Sequence, residues 1–163
     1  QDHFVKTFTD TAGRTWTVCV TVDAIKRVRA LLDVNLLAIL DEGCQLLAQL
    51  HDDPVLLVDV LYAVCQPQAD AQQVTDVQFG QAMSGDALLH ANRALLEGLS
   101  DFFPSARQRA ALKNLLQKTE RVVDRLLDHA EMTIEQLDPD SVAQSAIASF
   151  GNSREPSEFT PGP

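Results

Sequence analysis

Metal, acid–base and thiol chemistry each need particular residues at particular spacings, and this chain supplies the residues without the spacings. His3, His51, His90 and His129 are scattered, with no pair four residues apart to hold one metal from a single helix face. His90 stands one position off an apolar stripe and reads as an edge residue. Carboxylates pair at Asp52 and Asp53, at Asp124 and Asp128, and at Glu131 and Glu135. The first pair precedes Pro54, where helix capping accounts for it, and the others fall on the polar face of a long predicted helix, so none reads as a general acid and base. Cys19, Cys44 and Cys65 form no C-x-x-C motif. Thiols in such apolar surroundings are expected to be free, buried and kept in a reducing compartment. MSGDA around Ser84 reads as a helix break, and neither G-x-S-x-G nor a glycine-rich phosphate loop occurs. No catalytic, cofactor-binding or metal residue is assigned, and the chain is expected not to be an enzyme.

The stretch with binding character is LSDFFPSARQR, Leu99 to Arg109, where two phenylalanines meet a proline and are followed by two arginines. Leu88, Ala91, Leu95, Leu99 and Phe102 step by three or four, which makes Phe102 the core anchor that closes a helix. Phe103 lies off that stripe. Together with Arg107, Arg109 and Lys113 it is expected to border a protein-binding edge, a basic site in an otherwise acidic chain.

Those residues must be positioned by a mostly helical frame. FVKTFTDTAGRTWTVCVTV, rich in β-branched and aromatic residues around a D-T-A-G turn, predicts an antiparallel hairpin over about residues 4–20. Trp16, Val18 and Val20 share one face, and a two-stranded ribbon needs a support to lie on. Thr21 or Asp23 caps a helix in which Ile25, Val28, Leu31 and Leu32 repeat, with Lys26, Arg27 and Arg29 on a solvated face. NLLAILDEGCQLLAQL predicts one or two short helices interrupted near Gly43. Asp53 before Pro54 starts the helix PVLLVDVLYAVC, apolar nearly all round and so central to the core, and QPQADAQQ reads as a polar loop after it. Thr75 and Gln78 make a capping box, and Gly85 or Asp86 restarts the chain. Pro104 ends that helix, and Ser105 caps a long one over about 106–137. Its charges run against its own dipole, with Arg107, Arg109 and Lys113 at the start and Asp128, Glu131 and Glu135 at the end, so something outside the helix must compensate. The reading is a mainly α (α+β) chain, a hairpin followed by a bundle of about five or six helices. It forms a single domain over 1–137 with a tail over 138–163, a short helix at about 142–150 and flexibility beyond 151.

Bulk properties agree with a folded, acidic protein. At 163 residues, 45% hydrophobic and 22% charged, the chain has ordinary globular usage. Thirteen basic against 23 acidic residues give a net −10, spread evenly. Nucleic acid is not an expected partner, because its binding rests on basic residues that displace counterions. Arg93, the one base on the helix after Ser84, does not make a groove-reading element. No apolar run approaches a membrane span and no signal peptide is seen, so a cytoplasmic location is expected. The chain opens on Gln1, and its natural start is expected to be trimmed or to lie upstream.

Read together, FTDTAGRTWTVCVTVDAIKRVRALLDVNLL, DPVLLVDVLYAVCQPQAD and FGQAMSGDALLHANRALLEGLSDFFP resemble the tail assembly chaperones of tailed phages and prophages. The likeness covers about residues 4–137 and lies in the order of blocks: a hairpin, an F-G plus G-D-A segment, and a terminal F-F-P before a long helix. It implies a helical chaperone that binds the tape-measure protein, helps recruit tail-tube subunits and is absent from the mature virion. In that family a translational frameshift often yields a longer second form, and the ending SREPSEFTPGP fits the short one. Two readings from other classes stand beside it, a helical adaptor or regulatory subunit that self-associates through the long helix, and an enzyme with a concave polar pocket.

Overall fold

The computed structural model of the chain describes residues 5–151. The expected hairpin start at Phe4 and the flexible tail beyond 151 lie outside them. The chain divides into two compact units, residues 1–117 and 118–163. Two strands and seven α-helices run through the described residues, so the fold is mainly α with an N-terminal antiparallel hairpin.

Strands β1 (Lys6–Thr9) and β2 (Thr15–Val18) pair with Phe8 opposite Trp16 and Lys6 opposite Val18. The turn between them is organised by Asp10, whose amide donates to the Arg14 carbonyl at 2.9 Å, with Gly13 at φ +82°. Alternation works as the sequence predicts: Phe8, Trp16 and Val18 point inward and are buried.

Helix α1 (Val22–Leu32) is capped by the Thr21 hydroxyl, which accepts from Ala24 N. Two short 3-10 turns, Leu36–Leu40 and Glu42–Cys44, then break at Gly43 (φ 78°) before α2 (Gln45–Asp52). Helix α3 (Pro54–Gln72) begins where Asp53 accepts from Val55 N and Leu56 N, and it runs through the centre of the first unit, burying Leu57, Val60, Leu61, Val64 and Cys65. Helices α4 (Asp76–Gln81) and α5 (Asp86–Phe102) follow, α4 with the expected Thr75–Gln78 capping box. The hairpin lies on α5 and α3. Gly98 permits this approach, since a Cβ there would come within 3.1 Å of Val20 Cγ2. Trp16, Phe79 and Tyr62 stack edge to face, at 4.9 Å and 5.4 Å between centroids, and tie the hairpin to α4 and α3.

The polar loop expected over QPQADAQQ is instead the last turns of α3, which passes through Pro67. Proline there removes the N–H that would bond the Ala63 carbonyl four residues earlier. Arg27 supplies the missing donor: its Nη1 reaches the Ala63 carbonyl at 2.8 Å and the Val64 carbonyl at 3.4 Å, while Nη2 pairs with Asp23. Arg27 is thus half-buried and structural, a correction to the solvated face expected for it, whereas Lys26 and Arg29 are exposed. The polar residues after Pro67 also have work. Gln68 pairs both backbone groups of Thr17 with its side-chain amide, accepting from the amide at 2.9 Å and donating to the carbonyl, and so extends β2 by a bond that mimics a strand.

Arg27→Met is expected to cost roughly 1–3 kcal/mol, because it leaves the Ala63 carbonyl without a partner. Adding Pro67→Ala should return most of that loss, since alanine restores the backbone donor. Denaturant unfolding of the single and double variants checks this, and a strictly additive double variant contradicts it.

Helix α6 (Ala106–Gln136) and α7 (Pro139–Gly151) complete the chain. The boundary expected near 137 coincides with the break between these helices, while the two compact units divide earlier, within α6. Leu112 of α6 is fully buried in the first unit. In the second unit most of α6 and α7 is exposed to solvent, Val122, Leu126, Leu127 and Ile134 included.

Candidate functional site

The predicted site residues Phe103, Arg109 and Lys113 come together at the joint between α5 and α6, with Phe103 buried, Arg109 half-buried and Lys113 exposed. The helical region is disfavoured for a residue before proline, and Phe103 ends α5 in an extended conformation, φ −63° and ψ 129°. Its ring thereby leaves the 3.6-residue stripe and turns inward: Phe103 is 5% exposed, while Phe102 is only half-buried. This exchanges the roles expected for the two rings, which sit edge to face 6.5 Å apart.

The basic residues are engaged in the same joint. Arg109 Nη1 donates to the Phe103 carbonyl at 2.7 Å and the Pro104 carbonyl at 2.9 Å, and the Ser100 hydroxyl donates to the Arg109 carbonyl at 3.3 Å. Lys113 pairs with Asp101 at 3.1 Å, and Lys6 stands 3.8 Å from the same carboxylate. A basic start that is adverse to α6 itself therefore compensates the carbonyl end and acidic last turn of α5. Arg107 is exposed.

The thiols are free, but only Cys65 is buried; Cys44 is half-buried and Cys19 exposed, which corrects the expectation of three buried cysteines. Burial pushes the Cys65 thiol up to about 12, so it packs as an apolar group. Among the described residues no group of histidine, cysteine and carboxylate side chains could hold a metal ion. No helix of the described residues is long and apolar enough to cross a membrane.

A different part of the surface is concave. An open hollow of about 340 Å³ lies between the start of α3, the body of α4 and the start of α5. Pro54, Val55, Val58, Met83 and Leu88 give it an apolar lining, and Val55 is 69% exposed. Asp59 and Asp76 border it. Burial pushes the Asp59 carboxyl above the ordinary aspartate range, and the charges of Asp76 and Asp53 push it the same way. Among the described residues no cation or hydrogen-bond donor lowers it again, so the rim holds negative charge at a cost that a cationic partner would relieve. Gly80 also lines the hollow, and a Cβ added there would meet nothing within 4 Å.

A smaller hollow of about 240 Å³ is bordered by Lys6, Arg93 and Glu97. Its charges are already matched: Glu97 takes Arg93 Nε at 3.0 Å and Lys6 Nζ at 3.3 Å. Although its burial raises the Glu97 pKa, these bonds and charges outweigh it and leave the carboxyl below its ordinary range.

Sequence reasoning missed the larger hollow because PVLLVDVLYAVC reads as core on every side. The signal was Asp59, a lone carboxylate in an apolar run, which marks a face of α3 that is not fully covered. No protein-family model, curated protein or solved structure matches the chain.

Proposed function

We propose that this protein is a tail assembly chaperone of tailed phages, a binding protein without catalytic activity of its own. In the host cytoplasm it holds the apolar helices of the tape-measure protein in solution and helps recruit tail-tube subunits. It leaves before the virion is complete. The block order of the sequence suggests the class, and the observation that carries the mechanism is the apolar hollow with the Asp59 and Asp76 rim.

An amphipathic helix laid in such a hollow would bury apolar residues spaced three and four apart against Val55, Val58 and Leu88. Basic residues beside them would meet Asp59 and Asp76, adding on-rate and register more than raw affinity. The net charge of −10 keeps the protein dispersed while it carries an apolar cargo, and it disfavours nucleic acid as a partner.

Co-expression with a tape-measure fragment tests the reading. The fragment should become soluble and copurify; a fragment that stays insoluble and does not copurify sinks it. Asp59→Asn should then separate binding from folding. Because the Asp59 pKa is raised in the folded state, its ionisation costs stability as pH climbs above the ordinary value of 3.8 and through the folded value. The variant should therefore melt higher than the wild type at neutral pH, with the gain vanishing below that ordinary value. Its hold on the fragment should nevertheless weaken. A melting point that falls at neutral pH contradicts this assignment.

A further inference from the structure

The hairpin has two outer edges, and the fold treats them differently. On β2, Thr17 gives its N–H and its carbonyl to the Gln68 side chain, so at that level the strand turns its backbone groups away from β1. Thr7, the residue opposite, must turn its own away from β2, because residues paired across an antiparallel ladder exchange both hydrogen bonds or neither. The neighbouring levels agree. Asp10 N bonds the Arg14 carbonyl, as a bonded level requires, while Thr9 and Thr15 bring their hydroxyls within 3.4 Å, as the close, unbonded kind of level allows. The outer edge of β1 therefore presents an N–H and a carbonyl at Thr7 and again at Thr9. Among the described residues nothing pairs them.

This edge opens into the smaller hollow, with Val5 and Thr7 on one side and His90, Arg93 and Glu97, one line along α5, on the other. Each feature restricts what can lie there. N–H and carbonyl groups that repeat every second residue are matched by an extended backbone, whereas a helix bonds its own groups internally. A second copy of the hairpin would bring its own α5 against the first, so the space suits one strand. Glu97 is matched with Arg93 and Lys6, and a charged residue from outside would unpair one of them. Val5, Thr7 and Thr9 are exposed and all β-branched, a surface on which β-branched residues pair well across a ladder.

We propose that β1 accepts an extended, uncharged segment of another protein as a third strand. That segment alternates β-branched residues, level with Val5, Thr7 and Thr9, with small polar residues that face α5. Water serves the edge when no partner is bound, so the hairpin is complete without the extra strand. Such pairing depends on the hairpin and not on the client reading, and its test leaves the hollow beside Asp59 untouched.

The probe is a capped peptide of about seven residues in which valine alternates with serine. With the peptide at about ten times its Kd, amide exchange followed by NMR should slow about tenfold at Thr7 and Thr9. Phe8, already bonded to Trp16 of β2, should change little. Thr7→Pro removes the outward N–H without touching the ladder, a change that edge strands tolerate, and it should weaken the peptide by about tenfold or more in a protein that still folds. Two further peptides, N-methylated on the valines or on the serines, keep their side chains but lose donors on one edge. At least one should fail to bind wild type, a result that stands even where the proline variant unfolds. A peptide that leaves Thr7 and Thr9 exchanging as in the free protein overturns the proposal, as does binding that neither N-methylated version weakens. Equal binding with aspartate or lysine in place of serine overturns the uncharged partner. Protection of the same amides in the protein alone, as its concentration rises, assigns the edge to a second copy and overturns the partner class.

Discussion

Replacing Asp10 with alanine is expected to destabilise the protein by roughly 3–5 kcal/mol, because it removes the one acceptor that four donors of the hairpin share. Oδ1 takes the amides of Ala12 and Arg14 at 3.0 and 2.9 Å, and Oδ2 takes Arg14 Nε and Trp16 Nε1, both at 2.8 Å. Trp16 is fully buried, so its indole N–H would be left without a partner in the core. Asp10→Asn should be nearly as costly, since its amide nitrogen would oppose one of the donors. Desolvation raises the Asp10 pKa, but the Trp16 and Arg14 bonds outweigh it and hold the carboxyl below its ordinary value. Its contribution is therefore present above the ordinary aspartate pKa of 3.8 and lost as pH falls through the lower folded value. Chemical unfolding of wild type and variants between neutral and acid pH reads both effects, and a loss under about 1 kcal/mol at neutral pH contradicts this role.

The second large effect is an asymmetry between neighbours. Phe103→Ala should cost about 3–5 kcal/mol, as expected for emptying a buried aromatic site. Phe102→Ala should cost no more than about 1–2 kcal/mol, since that ring keeps part of its surface in water. Equal losses, or a larger loss at Phe102, contradict the account of the α5–α6 joint. Arg109 adds a check of a different kind, because Arg109→Met would strip the Phe103 and Pro104 carbonyls of their donor while keeping an unbranched apolar stem.

The frame of the fold was legible wherever a local signal and the tertiary structure agree. The hairpin, the Thr21 cap, the Asp53–Pro54 start, the Thr75–Gln78 box and the breaks at Gly43 and Pro104 each depend on a few adjacent residues. The errors came where a distant partner overrides a local rule. Pro67 ought to stop a helix, yet α3 continues because Arg27, forty positions away in the chain, takes over the orphaned carbonyl. Phe103 lies off the apolar stripe of α5, yet its extended backbone before Pro104 turns its ring inward. Helical periodicity holds no information beyond the last helical residue.

The binding surface was the least legible part. An aromatic and basic cluster draws attention because its residues are chemically conspicuous, but Phe103 and Arg109 are taken up by the joint that ends α5. The hollow is built from ordinary residues brought together from α3, α4 and α5. Each alone is a plausible core residue, and only their meeting beside Asp59 and Asp76 makes a site. Spacing along one helix cannot disclose such a meeting.

The central claim is that a helical client lies in the hollow beside Asp59, and Gly80→Leu tests it most directly. A side chain at this position stands in open space at the hollow and replaces a helical glycine, so the fold should keep its melting temperature or gain slightly. Affinity for a tape-measure fragment, measured by titration against wild type and variant, should fall by about tenfold or more as the leucine fills the space the client needs. Unchanged affinity in a folded Gly80→Leu protein would contradict the claim.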